Sequence, residues 1–188
     1  VHFGHTLADS TTCEKYMNSD DVSFTHLYNA MSDNNHRNPG VLSAALNKGK
    51  FAEIICDLHH VSEASILIAK KCIPDLYAIT DSIAASGMQD GGYKFANVDI
   101  EKKNNKVYLS GTNTLAGSVI NMHDTFLNLL KMKISIQDAV RMTSYSASKF
   151  LKNEDIGVIE NGKKANFLIL DHEFNIKSIY LNGKIING

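Results

Sequence analysis

Four short apolar runs constrain this chain more than any other feature, because each is followed at once by a group suited to metal binding or proton transfer. VHFG leads into His5, VSFT into His26, FAEIIC into Asp57 with His59 and His60 just beyond, and LYAIT into Asp81. Between the runs lie segments of helical period. These cover residues 6–17 with Asp9 near the start, VLSAALNKG after Gly40, and residues 62–71 with Ser62 placed to cap the first turn. Strands separated by helices at this spacing predict right-handed βαβ units on a parallel sheet. In a sheet closed into an α/β barrel, the loops at the C-terminal strand ends carry the chemistry. A single His after a strand is usually a hydrogen-bonded loop residue, whereas four polar strand ends in succession read as a site.

The second half carries a different pattern. Gly91-Gly92 begins a β-rich stretch in which two runs flank polar KKNN, predicting an inserted hairpin. Amphipathic helices are expected over 118–131 and 135–144, the latter capped by Ser135, with a short third helix over 146–151. From Ile156 the pattern is all-β, and Asn161-Gly162 and Asn182-Gly183 are hairpin-turn dipeptides.

Composition removes several classes of function. Nineteen Lys and Arg balance twenty Asp and Glu for a net charge of −1, so there is no basic footprint for nucleic acid or an anionic membrane. No apolar stretch approaches the roughly 20 residues that span a bilayer, and residues 1–15 lack the apolar centre of a secretory signal. Three widely spaced cysteines, Cys13, Cys56 and Cys72, read as reduced core thiols of a cytoplasmic protein. The start at Val1, inside an apparent strand, reads as a piece of something longer.

The residue types suggest a reaction. Neutral imidazoles from His5 and His26 could supply two of the about three protein ligands of a catalytic divalent ion. Water on such an ion approaches a pKa of about 7, and Asp81 is placed to accept its proton and return it to a leaving group. Arg37, one of only two arginines, lies in the polar loop NNHRNPG. It is either an anion clamp or a solvated surface charge.

Six motifs follow one another along the chain: GHT at 4–6, THLYNAM at 25–31, HRNPG at 36–40, DLHHV at 57–61, ITDSI at 79–83 and TLAGS at 114–118. In their order and spacing the chain resembles the N-acetylglucosamine-6-phosphate deacetylases of the metal-dependent amidohydrolase superfamily. THLYNAM with an Arg eleven residues past its His is the specific part, and IGVIENGKKANFLIL at 156–170 is similar to the passage from barrel to β-sandwich. The resemblance implies an α/β fold: the C-terminal part of a (β/α)8 TIM-type barrel over 1–154, then part of a small β-sandwich over 155–188. It implies that His5 and His26 hold the metal, zinc in the first instance, with iron, manganese or cobalt able to replace it. It makes Asp81 the catalytic acid and base. Asn29, Ala30, Arg37 and His60 become contacts to the sugar phosphate, and Leu115, Ala116 and Gly117 the lining of the sugar pocket. Arg37 and His60 are expected to reach the neighbouring subunit's site, which implies a homodimer.

The loop departs from the family at Leu58 and His59, where Gly and Leu are usual. His60, followed by Val61, is favoured over His59 as the contact. A Glu ligand and a carbonyl-binding His of the family come from upstream strands that this chain lacks. A half barrel would expose a sheet edge, so the chain alone is expected to be inactive and unstable or self-associating. Two other readings stay open: an amidohydrolase for a cyclic amide, and an inactive fragment.

Overall fold

The computed structural model describes residues 1–18 and 21–186. Its first half contains β1 (His2–Phe3), α1 (Ser10–Tyr16), β2 (Ser23–Phe24), α2 (Val41–Lys48), β3 (Phe51–Ile55), α3 (Glu63–Cys72) and β4 (Asp75–Ile79). β1 pairs with β2 in parallel, His2 opposite Ser23, and β3 pairs with β4 in parallel from Phe51–Asp75 to Ile55–Ile79. The Leu27 N–H donates to the Glu53 carbonyl at 2.8 Å and joins the two pairs. The expected βαβ alternation is therefore present, as mixed α/β structure. No closed barrel exists among the described residues.

Side-chain alternation decides which face each strand buries. Phe24, Ala52, Ile54, Leu76 and Ala78 pack with Val41, Ala44, Ala45, Ile66 and Ala69 of the helices in one apolar core. The opposite face is more polar. There the Ser23 hydroxyl lies 3.1 Å from the Tyr77 hydroxyl, which donates to Glu53 Oε1 at 3.3 Å. Ser62 caps α3 as expected, accepting from the Ser65 N–H, whereas α1, expected from residue 6, begins at Ser10 because Asp9 caps it by accepting from the Thr12 N–H.

The insertion is larger than one hairpin. β5 (Gly91–Phe95), β6 (Val98–Lys103) and β7 (Lys106–Leu109) form an antiparallel meander over a small core of Ala85, Ile100 and Val107. Asn104 and Asn105, at φ 52° and 59°, make the two-residue turn between β6 and β7. Next come α4 (Met122–Lys131), α5 (Ile136–Val140), a π-helical turn at Arg141–Tyr145 and α6 (Ser146–Phe150). Helix α4 begins four residues later than the pattern suggested. Asn121 caps it, and Ser118 instead forms a parallel bridge with Ser82. The π turn interrupts the expected 135–144 helix, which Ser135 caps as predicted.

The C-terminal signal is β only from Phe167. β8 (Phe167–Leu170), β9 (Ile176–Leu181) and β10 (Lys184–Ile186) form an antiparallel sheet in the order β10-β9-β8. Asn182-Gly183 makes the β9–β10 turn, with φ values of 49° and 76°. Asn161-Gly162 is also a turn, closed by the Lys163 N–H on the Glu160 carbonyl, but no strands flank it. Cys13 and Cys56 are buried as expected, whereas Cys72 at the end of α3 is exposed.

One charge anchors the sheet at its N-terminal end. Asp75, 3% exposed, pairs with Lys149 at 2.6 Å and Arg141 at 3.5 Å, tying β4 to α6 and to the π turn. The two cations are half-exposed and keep most of their hydration. Asp75→Ala is therefore expected to cost about 3 kcal/mol, the lower end of the effect of breaking a buried pair. The measurement is the shift of the urea-unfolding midpoint at unchanged slope.

Candidate active site

Because β1 to β4 run parallel, the residues that follow them all emerge at one end of the sheet. The Nε2 atoms of His5 and His26 come within 2.9 Å of each other, and the ring centroids lie 4.7 Å apart. Gly4 permits this approach: a Cβ at that position would sit 2.8 Å from Thr25 Cβ. His26 is buried and His5 is exposed. His26 Nδ1 is the one buried side-chain N or O atom without a hydrogen-bond partner among the described residues.

The backbone at these positions is unusual. His5, His26 and Asp81 have φ values of 47°, 31° and 47°. Left-handed backbone costs a non-glycine residue about 1–2 kcal/mol, so each turn must be held by its surroundings. At His26 the holder is Asn29, whose N–H and Nδ2 both donate to the His26 carbonyl at 3.0 and 3.1 Å, with Nδ2 also near the Leu27 carbonyl. At Asp81 it is the segment 115–118. The Ser118 N–H donates to the Asp81 carbonyl at 2.9 Å, and the Ser118 hydroxyl donates to the Thr80 carbonyl. Gly117, at φ 68°, allows the contact: a Cβ there would fall 2.6 Å from Ile83 Cγ2 and 3.1 Å from the Asp81 carbonyl oxygen.

After β3 the chain builds a compact acid–imidazole pair. Asp57 Oδ1 accepts from the His59 and His60 N–H groups at 2.8 and 2.9 Å, and Oδ2 lies 2.6 Å from His60 Nδ1. Burial pushes the Asp57 carboxyl up. The His60 ring, with the two backbone donors, outweighs it and holds the group below the usual carboxylate range. His59 is exposed beside it. Leu58, which links the two, has φ 64°.

The remaining candidates are less constrained. Ala30 is exposed at φ 48°. Arg37 is exposed in a loop shaped by Asn35 Oδ1, which accepts from the Arg37 and Asn38 N–H groups at 2.9 Å. Its guanidinium has no ion pair among the described residues. Asp81 is exposed, and no hydrogen bond joins it to the histidines there. No group of three or more His, Cys, Asp or Glu able to hold a metal ion occurs among the described residues. A cleft of about 410 Å³ around Tyr145, Lys149 and Lys163 is lined by none of the candidate site residues.

The amidohydrolase family matches residues 1–186. The chain belongs to that family. It is similar to the N-acetylglucosamine-6-phosphate deacetylase of Bacillus subtilis, 34% identical over 97% of this chain and 47% of that protein. The crystal structure of N-acetylglucosamine-6-phosphate deacetylase from Pasteurella multocida superposes with a TM-score of 0.93 at 30% identity, covering all of this chain and 50% of that one. An Asp-to-Ala variant of the Mycobacterium smegmatis enzyme, in complex with N-acetyl-D-glucosamine-6-phosphate, gives 0.89 at 27% identity over 98% of this chain and 50% of that one. The chain spans about half the length of the curated relatives it matches, and it corresponds to their C-terminal part.

Amidohydrolases are metal-dependent, and the His pair can be tested against that requirement. Zn–N bonds of about 2.0–2.1 Å at tetrahedral angles separate two nitrogens by roughly 3.3 Å. The observed 2.9 Å needs a few tenths of an ångström of widening. Two imidazoles whose Nε2 atoms converge to 2.9 Å fit a borderline divalent ion held between them. They supply two of its protein donors.

Sequence reasoning missed three supports. The carboxylate of Asp57 behind His60 was signalled by its spacing three residues ahead. The Asn29 lock was signalled by its spacing three residues after His26. The contact of 117–118 with Asp81 joins segments distant in sequence, and no local pattern marks it.

Two outcomes are expected from this geometry. Leu58→Gly relieves the left-handed strain and gives back part of the gain as chain entropy, raising stability by about 1 kcal/mol, read as an increase in Tm. For Asp57, the folded carboxyl titrates below its unfolded value of about 3.9. Its contribution is fully present above that pH and is lost as pH falls through the folded value. Asp57→Asn should therefore flatten the acid limb of stability measured by urea unfolding across that range.

Proposed function

We propose that the chain is the C-terminal half of an N-acetylglucosamine-6-phosphate deacetylase, which hydrolyses the acetamide of N-acetyl-D-glucosamine 6-phosphate to acetate and D-glucosamine 6-phosphate. The observation that carries this reading is the convergence of His5 and His26 at 2.9 Å, at the same sheet end as Asp81. The named relatives cover the whole chain and support it. Residues 1–154 form the barrel part and 155–188 the part of the small β-sandwich.

His5 and His26 would hold the divalent ion, zinc first among the candidates. Such an ion supplies Lewis acidity toward the acetamide carbonyl and the attacking water. Asp81 accepts the proton of that water as the carbonyl carbon is attacked. As the C–N bond breaks, Asp81 returns the proton to the sugar nitrogen, so that acetate and the free amine leave. The strained turn at Asp81, backed by Gly117 and Ser118, keeps this carboxylate at the strand end rather than in the sheet.

Arg37 has the fork geometry for a phosphomonoester, and its unpaired guanidinium is ready for one. His60 assists it, and both reach the neighbouring subunit's site in a homodimer. Asn29 spends its amide nitrogen on the turn, which leaves Oδ1 to meet the sugar phosphate's surroundings beside Ala30. Leu115, Ala116 and Gly117 line the sugar.

In the full-length enzyme, Asp81→Asn is expected to lower kcat by about 10³-fold or more, the scale of a lost acid–base group, with metal content unchanged. A variant with near-normal kcat overturns the role. Arg37→Ala is expected to raise KM for the phosphorylated sugar about 10- to 100-fold, from loss of a charge-assisted contact, while the unphosphorylated sugar is unaffected. Equal losses on both substrates overturn the phosphate role.

A further inference from the structure

The Asp57–His60 pair is built with more care than a turn requires. A carboxylate that only shaped the loop would need one oxygen, and Oδ1 already fills that task by accepting from two backbone N–H groups. Oδ2 is the second oxygen, and it is aimed at the ring, 2.6 Å from Nδ1. The two side chains are 8% and 9% exposed, so this contact is shielded from water. The neighbouring Val61 is buried in the main core and fixes the far side of the loop. The chain accepts a left-handed Leu58 to bring the carboxylate under the two amides.

The remaining ring nitrogen has a different situation. His60 Nε2 has no partner among the described residues and is not among their fully buried unsatisfied atoms, so it keeps some contact with solvent although the side chain is only 8% exposed. With Nδ1 committed inward to a carboxylate, a neutral ring carries its proton on Nδ1. A protonated ring gives one N–H to Asp57 and presents the other, on Nε2, to whatever lies outside. An outward N–H backed by a buried carboxylate suits a phosphomonoester oxygen.

We propose that Asp57 is a positioning residue that fixes the ring of His60, so that Nε2 points outward as the donor that meets the substrate phosphate. This rests on the reading of His60 as a phosphate contact given above. Asp57 touches no substrate in this arrangement and acts only through the ring.

The chosen variant separates turn from ring. Asp57→Asn keeps Oδ1 for the two backbone donors and replaces Oδ2 by an NH2 group, which cannot accept from the ring; Nε2 then keeps at most a neutral N–H, without the charge that the carboxylate supports. The test uses the full-length enzyme, with N-acetylglucosamine 6-phosphate and its unphosphorylated analogue as probes. Asp57→Asn should raise KM for the phosphorylated sugar, though by no more than His60→Gln does, with kcat retained. The double variant should be no worse than His60→Gln alone.

A second measurement does not depend on any variant folding. At about pH 8.5, roughly two units above the ordinary His value, the imidazole 15N shifts of His60 in the unaltered protein should report the Nδ1–H tautomer. An Nε2–H tautomer there overturns the proposal. So does a double variant whose losses simply add, because that is the signature of a structural role for Asp57. If His60→Gln raises KM while Asp57→Asn does not, the positioning role alone falls. If His60→Gln leaves KM unchanged, the phosphate role of His60 falls and the proposal falls with it.

Discussion

The left-handed backbone at His5, His26 and Asp81 is the constraint on which the candidate site depends. A strand that continued straight would carry these side chains away along the sheet direction. A single residue at positive φ ends each strand and turns its side chain at the sheet's end. Each such residue costs about 1–2 kcal/mol, and the structure offsets that cost locally. Asn29 ties down the turn at His26, Ser118 and Gly117 brace Asp81, and Gly4 lets the first two turns approach. The site is therefore a set of strained turns, with clamps at His26 and Asp81.

The two ends of the sheet divide the work. At the N-terminal end, Asp75 joins β4 to α6 through Lys149 and Arg141, and it carries no chemistry. At the C-terminal end, charged and imidazole groups are left open or half satisfied, including the buried Nδ1 of His26. This separation is characteristic of α/β sheets, where loops after the strands vary with function while the opposite end holds the scaffold. The two arginines follow it: Arg141 is bound into the structure, whereas the Arg37 guanidinium has no ion pair among the described residues.

Much of this arrangement was legible because parallel strands put sequence-distant residues at one end by topology alone. The alternation of apolar runs and helical periods marks His5, His26, Asp57 with His59 and His60, and Asp81; only the family resemblance singles out His60. The helix caps Ser62 and Ser135 were readable because capping is local chemistry. The failures have equally physical causes. The third strand of the meander was hidden because its turn uses Ala96, at φ 51°, a residue that carries no turn signal. Ser118 reads as the start of a helix from sequence, but its backbone pairs with Ser82. Asn161-Gly162 kept its local turn and lacked strands to join, which no dipeptide can report.

The π-helical turn at Arg141–Tyr145 has a geometric consequence for the sheet it covers. Its closing bond runs from the Ser146 N–H to the Arg141 carbonyl, one residue longer than an α-helical bond. An extra residue in a helix rotates everything beyond it by roughly 100° about the axis. Phe150 lies on the far side of that rotation, with its ring against His2, Phe51 and Tyr77 at centroid distances of 4.9, 5.3 and 6.0 Å. The π turn thus works as a phase shifter. An α-helix continued without it would aim Phe150 about a quarter-turn away from the three strands it now caps.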